Sequence, residues 1–256
     1  MEPGEVFCVA GANGSGKSTL AQVCAGLLAP STGCIRYGDE VVGGRGERRE
    51  FRRRIGMLFQ SPEDQLFADT VEKDIAFGPR NHGLKGDELK SAVRRAAALV
   101  GLSLDDLGMR SVFSLSEGEK RRTALAGVLA LDPEVLVLDE PFIGLDHDGR
   151  EHLKAALSSY RADRGASILL VTHELSDVWP LASRFALISG GRLERVAGKN
   201  DLVSGDMDLS TLGMKLPQWG SLARELLRSG ISVNDPADPR SLARAIAAHR
   251  EVRSGR

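Results

Sequence analysis

At 256 residues, 42% of them apolar and 27% charged, the chain is long enough to bury a substantial core. Its 34 basic residues against 35 acidic ones lack the broad positive field that holds nucleic acid nonspecifically, and no stretch approaches the ~18 apolar residues of a membrane span. Three cysteines, Cys8, Cys24 and Cys34, have no metal-type spacing and are odd in number, which argues against a disulfide framework and for a reducing compartment.

The first expected strand is Val6–Ala10, an apolar run without alternation that implies burial on both faces. It leads into Gly11, Ala12, Asn13, Gly14, Ser15, Gly16, Lys17, Ser18 and Thr19, which read G-x-x-x-x-G-K-[ST]. A helical pattern follows, with apolar Leu20, Val23, Cys24, Leu27 and Leu28, expected to end near Ala29-Pro30. A buried strand, a glycine-rich turn and a helix N-terminus are what a phosphate-binding loop needs. The glycines let backbone N–H groups face inward, the helix end offers unpaired donors, Lys17 reaches outer phosphates and Ser18 places a hydroxyl on Mg²⁺. The alternative is a glycine-rich connector, and the complete strand–loop–helix context outweighs it.

Cys34–Asp39 and Glu40–Gly44 suggest short strands and a turn, and the basic segment Arg45–Arg54 reads as a solvated face or loop leading into a strand, Ile55–Phe59. Gln60 lies just past that strand, a neutral group suited to ligating Mg²⁺ or positioning water. Ser61–Gly86, with Pro62 and Pro79, reads as irregular, and Asp87–Val100 carries Leu89, Val93, Ala96, Ala97 and Val100 at helical spacing. Together they suggest a helical insertion at about 61–130. A second basic cluster, Lys120-Arg121-Arg122, also reads as a solvated face. Leu115-Ser116-Glu117-Gly118-Glu119 precedes a periodic stretch with Leu125, Val128 and Leu129 on one face.

Val135–Leu138 and Ile168–Val171 are short, wholly apolar runs of the kind found in central parallel strands, and a helix at roughly Gly149–Tyr160 joins them. The expected class is α/β with a mostly parallel sheet flanked by helices. Asp139 and Glu140 end the first run, which puts them at the C-terminal sheet edge where ligands bind in open α/β sheets. There Asp139 is placed to hold Mg²⁺ and Glu140 to orient or deprotonate a water. His173 follows the second run in the same manner, placed to bond the γ-phosphate or the attacking water. The other histidines have no such placement. Phe185–Ile188, Gly190-Gly191 and Arg192–Val196 read as a closing hairpin. Modest amphipathic helices near Leu222–Leu227 and Leu242–Ala248 make 206–256 a small extension to a domain spanning 1–205.

These residues resemble the ATP-binding subunits of ABC transporters. The phosphate loop matches that family's Walker A and Val135–Glu140 its Walker B with catalytic glutamate. Gln60 matches the Q-loop, Leu115–Glu119 the signature motif, Gly144-Leu145-Asp146 the D-loop and His173 the switch histidine. The resemblance implies a P-loop fold binding ATP and Mg²⁺. It also implies head-to-tail pairing with a second ABC ATPase subunit, like or unlike, in which Ser116, Gly118 and Glu119 complete the partner's site. Within that superfamily, Phe59–Val71 and Ala76–Asn81 resemble the energy-coupling factor branch, which drives uptake of vitamins or transition-metal ions. By that resemblance the segment after Gln60, with Leu66 and Phe67 exposed, is the face on which a transmembrane coupling subunit rests, beside a substrate-binding membrane subunit. The chain then works at the cytoplasmic face of the cell membrane as a peripheral protein, without nucleic acid, and its C-terminal extension serves dimerisation.

Three departures qualify the match. Members usually begin with antiparallel strands carrying an aromatic that stacks on adenine; here these strands are missing and a mis-set start is expected. Base stacking is typically worth ~1–3 kcal/mol. Glu117 stands where the signature has glycine, adding negative charge near a polyanion, and Phe142-Ile143 replace small D-loop residues. The first two admit an alternative function, a nucleotide-binding regulatory partner, and the last two an asymmetric pair with one impaired composite site.

Overall fold

The structure, a computed structural model, describes residues 1–205, 208–235 and 238–254. Its first elements are β1 (Val6–Ala10), α1 (Lys17–Cys24), β2 (Ile35–Tyr37), β3 (Glu40–Val42), α2 (Arg45–Arg53) and β4 (Ile55–Leu58). Next come α3 (Val71–Asn81), α4 (Gly86–Leu99), α5 (Leu104–Leu107), α6 (Glu117–Leu129), β5 (Val135–Asp139), α7 (His147–Arg164) and β6 (Ser167–Thr172). The last are α8 (Leu175–Val178), β7 (Arg184–Ser189), β8 (Arg192–Gly198), α9 (Lys199–Ser204), α10 (Gln218–Arg228) and α11 (Pro239–Ser254). They fall into two compact units, one of residues 1–5 and 18–171, the other of 6–17 and 172 onward.

In the first unit β4, β5 and β6 are parallel. Ile55–Leu58 runs beside Val135–Leu138, and Val135–Asp139 beside Ser167–Val171. Leu136, Val137 and Leu138 are all buried, as befits strands that bury both faces and do not alternate. The connection from β5 to β6 is α7, which starts where Asp146 accepts a hydrogen bond from Gly149 N–H (2.8 Å) and stops at Gly165, φ +64. Its buried face is Leu153, Ala156, Leu157 and Tyr160, at i, i+3, i+4 and i+7 spacing. Between residues 61 and 130 the regular elements are all helices, joined by short loops, with α3, α4 and α6 packed on one another.

Three expectations change here. Ser61–Gly86 is not irregular: α3 occupies Val71–Asn81, begun by Thr70, whose hydroxyl accepts from Lys73 N–H (3.4 Å). Pro79 lies in the last turn, and the helix continues only to Asn81. The basic run at residues 45–54, read as a solvated face or loop, forms the helix α2, in which Phe51 is buried. The helix after the phosphate loop is shorter than expected. It ends at Cys24 because Gly26 adopts φ +70 and Leu27 N–H closes back to Gln22 O (2.9 Å), leaving Leu27 and Leu28 exposed.

In the second unit β1 lies parallel to β7, and β7 antiparallel to β8. Gly190 and Gly191, at φ +52 and +75, supply the two left-handed residues of a tight hairpin. The expected closing hairpin is therefore present. Past it, Arg224 of α10 donates to the carbonyls of Val203 (3.1 Å) and Leu202 (2.7 Å) in α9. The expected boundary at Asp206 lies outside the described residues. Among the described residues no helix is long and apolar enough to cross a membrane.

Candidate functional site

The second unit holds the phosphate loop between β1 and the start of α1. Gly11 N–H donates to Thr172 O (3.4 Å), and a Cβ on Gly11 would lie 2.2 Å from Ile188 O and 2.8 Å from Ser15 Oγ. Gly14 and Gly16 adopt φ +77 and +95, turns that a side chain would resist. The hairpin tip braces the loop, Gly191 N–H donating to Ser15 O (3.2 Å). Lys17, 6% exposed, folds back so that Nζ donates to Gly11 O (2.8 Å) and Ala12 O (2.9 Å). Ser15 is 5% exposed and its hydroxyl has no hydrogen-bond partner among the described residues. A buried hydroxyl with no acceptor among the described residues, in the same loop as a buried ammonium, suits an anion with several oxygens.

His173 follows the end of β6 and is half-buried. The turn that sets its backbone is closed by Thr172 Oγ1, which accepts from Glu174 N–H (3.0 Å) and donates to Glu174 O (3.2 Å). From the C-terminal side, Gly213 comes so near Ala12 that a Cβ on it would lie 3.0 Å from Ala12 Cβ. Nothing in the sequence signals that approach. Ser18 and Thr19 follow Lys17 in the first turn of α1, which carries no acidic residue to compete with an anion.

The first unit holds the acidic end. Asp139 and Glu140 terminate β5 and are 3% and 5% exposed. Glu140 has φ +49, a left-handed conformation costing a non-glycine residue about 1–3 kcal/mol unless its surroundings hold it. Its N–H donates to Val171 O (2.8 Å). Its carbonyl side is held by Arg121 of α6: Nη1 donates to Glu140 O (3.2 Å), Pro141 O (3.2 Å) and Ile143 O, and Nη2 to Gln60 O (3.0 Å). Arg121 is therefore not part of a solvated face, as the basic cluster suggested. Gln60 itself is exposed at its side chain.

The segment after Gln60 is pinned twice. The Gln65 amide accepts from Phe59 N–H (3.1 Å) and donates to Met57 O (3.2 Å), while buried Asp74 accepts from the N–H groups of Phe67 (2.9 Å) and Ala68 (2.8 Å). Phe67 is 56% exposed and packs edge-on against Phe77, ring centroids 4.5 Å apart. Leu66, expected at the surface beside it, is 8% exposed and anchors the turn instead.

The signature stretch starts α6. Ser116 is the helix cap: its hydroxyl accepts from Glu119 N–H (3.3 Å) and donates to Glu119 Oε2 (2.9 Å), and Ser116 N–H donates to the same oxygen (2.8 Å). The bond from Ser116 N–H, then that from its hydroxyl, hold the Glu119 carboxyl below the usual glutamate range; Arg110 Nη1, 3.4 Å away, adds to this. Gly118 is half-buried and Glu117 exposed. Asp146 uses its carboxylate to start α7. The sequence reading missed Arg121, Asp74 and Gln65, because each acts on backbone groups that leave no pattern in a sequence.

For magnesium the chain offers the carboxylate of Asp139, the hydroxyl of Ser18 and the amide of Gln60, all hard oxygen donors, and Asp139 is buried. Such a set fits an ion that binds through one or two carboxylates and substrate phosphates. Among the described residues no cluster of three or more His, Cys, Asp and Glu forms an all-protein cage.

Comparison with known proteins gives a consistent picture. The family model described as ABC transporter matches residues 1–143. The chain is 38% identical over 237 residues to the energy-coupling factor transporter ATP-binding protein EcfA2 of Clostridium perfringens, spanning 92% of this chain and 83% of that one. It is 40% identical over 236 residues to EcfA2 of Acetivibrio thermocellus, spanning 92% and 83%. Among solved structures it resembles CbiO1 of Clostridium perfringens, described as part of the ABC transporter complex CbiONQ, with a TM-score of 0.73 and 33% identity over 87% of this chain and 88% of that one. The ATP-binding cassette MJ0796, in a dimeric structure bound to ADP and phosphate, shares the fold at a TM-score of 0.71 and 22% identity over 77% of this chain and 87% of that one.

Proposed function

This chain belongs to the ABC transporter family, among the energy-coupling factor ATP-binding proteins, and from that premise we propose that it hydrolyses ATP to energise an importer of vitamins or transition-metal ions. The observation that carries this reading is the phosphate loop, with Lys17 buried against its own backbone and a Ser15 hydroxyl that no group among the described residues bonds. An arriving triphosphate takes the place of those backbone carbonyls. Lys17 turns its ammonium to the outer phosphates, and the amides from Asn13 to Thr19 take the remaining oxygens. Ser18, Gln60 and Asp139 would hold Mg²⁺, which neutralises charge between the outer phosphates. Glu140 holds the attacking water and accepts its proton, and His173 bonds the γ-phosphate. A helix N-terminus at Ser116 and Gly118, presented by a second ABC subunit, completes each site, and Asp146 lies in the loop beside that contact.

The exposed surface supports a reading of the partners. A transmembrane coupling subunit rests on the face around Phe67 and Phe77, large apolar side chains left exposed among charged neighbours, and a substrate-binding membrane subunit completes the complex. The chain is peripheral, at the cytoplasmic face of the membrane. Residues 206–256 serve dimerisation, a role supported by the exposed Trp219 on α10.

One observation favours the second reading, a regulatory partner with an impaired composite site: the Ser116 hydroxyl already donates to the Glu119 carboxylate, and Glu117 adds a second exposed negative charge. In that case, sites built from this chain's Ser116 turn over more slowly than those built from its partner's. The test of the main reading is uptake by the complex reconstituted in vesicles supplied with ATP. Lys17→Ala is expected to abolish uptake, and uptake at the wild-type rate would refute the proposal.

A further inference from the structure

We infer that Arg121 is a positioning residue that ties the backbone of the hydrolytic glutamate to the segment on which the membrane partner rests, so that a displacement of one displaces the other. The inference rests on the reading of Glu140 and of the 61–80 face given above. Its basis is the set of four carbonyl oxygens gathered by one guanidinium, three of them from Glu140, Pro141 and Ile143 and the fourth from Gln60. Carbonyls turned toward one point repel one another, and a cation with a planar fork of donors reconciles them. Lysine, a compact point charge, lacks that fork.

The link lies at the weakest place in the acidic loop. Glu140 is held at φ +49, a conformation that persists only where surrounding bonds hold it. The loop's own bonds are long: Ile143 N–H to Glu140 O and Leu145 N–H to Phe142 O are each 3.4 Å. Arg121 supplies what those bonds do not. At its other end, Gln60 O opens a segment made stiff by Gln65 and Asp74 and tipped by Phe67. A push on Phe67 therefore reaches Gln60 as a movement of backbone, and through Arg121 reaches the carbonyl of Glu140. Because these four acceptors are main-chain oxygens, the part of the link that runs through them is indifferent to side chains at its far end. Phe142 and Ile143, which depart from the small residues expected in that loop, leave it intact.

The test compares wild type with Arg121→Gln and Arg121→Lys by amide hydrogen exchange of the full chain and ATP turnover of the assembled transporter. In both variants the amides of 61–68 and of 141–145 are expected to exchange faster together, with α4 and α7 unchanged. Turnover should fall by roughly 10- to 100-fold, as when a reacting group is slightly misplaced, with KM within about twofold because the phosphate loop is untouched. Lysine should restore the melting temperature but not the turnover. Faster exchange in only one segment, or in neither, would overturn the inference, as would recovery of both melting temperature and turnover by lysine. A wild-type complex that hydrolyses no ATP would instead defeat the proposed function, while the exchange data would still decide the role of Arg121.

Discussion

Gly11 shows how tightly the phosphate loop is specified. A Cβ there meets a carbonyl oxygen at 2.2 Å, and backbone does not give way as a flexible side chain does. Gly14, by contrast, has nothing within 4 Å of the added carbon and resists substitution only through its φ of +77. Gly11→Ala is therefore expected to destabilise the chain by about 1–3 kcal/mol through overpacking, and Gly14→Ala by about 1 kcal/mol through left-handed strain. Urea denaturation of both variants checks the order, and equal effects would contradict the assignment. At this scale the residues legible in the sequence were those proposed to meet a ligand. Lys17, Ser18, Asp139 and Glu140 stand in motifs with the spacing that binding a triphosphate would ask for. Arg121 serves backbone carbonyls and Asp74 backbone N–H groups, and neither has a letter in the sequence. Arg121 was hidden further by the flanking Lys120 and Arg122, which made it look like one of a solvated row.

At the scale of elements, the start of α6 joins stability to function. Ser116 and Glu119 cap the helix reciprocally, and the bonds that do so depress the Glu119 carboxyl. A depressed carboxyl contributes stability that is complete above its ordinary value of 4.5 and is lost as pH falls through its lower folded value. Wild type should therefore lose about 0.5–1 kcal/mol, the worth of a helix cap, relative to Glu119→Gln as pH falls below 4.5 and through the lower folded value. Glutamine keeps the cap without titrating. Chemical denaturation at several pH values measures the difference, and a gap that does not change with pH would contradict the capping role. The same substitution removes a negative charge beside the residue proposed to meet the γ-phosphate. Strands were legible because buried parallel strands have nothing but apolar residues to offer, as in Val135–Leu138. α3 was not: two prolines obscured a helix whose cap, Thr70, and buried positions, Val71 and Ile75, are unremarkable by themselves. α1 looked longer than it is because Leu27 and Leu28 continue the helical pattern beyond the glycine that ends it.

Over the whole chain, the division into units does not follow the sequence. The phosphate loop belongs with the chain after residue 171, and the acidic end of β5 with the helical insertion. The order of motifs announced the fold class, since strand, loop and helix recur with little interruption, and relatives aligned over nine-tenths of the chain bear the class out. The assignment of the units was not legible, because it depends on which distant segments pair, as β1 does with β7. The central claim is that this chain cuts ATP through a carboxylate at the end of β5. The most direct measurement is ATP turnover and ATP binding by the assembled complex carrying Glu140→Gln. Loss of a general base predicts turnover lower by roughly 10²- to 10⁴-fold, with ATP affinity retained because Lys17 and its loop are unchanged. Turnover at the wild-type rate would contradict the account.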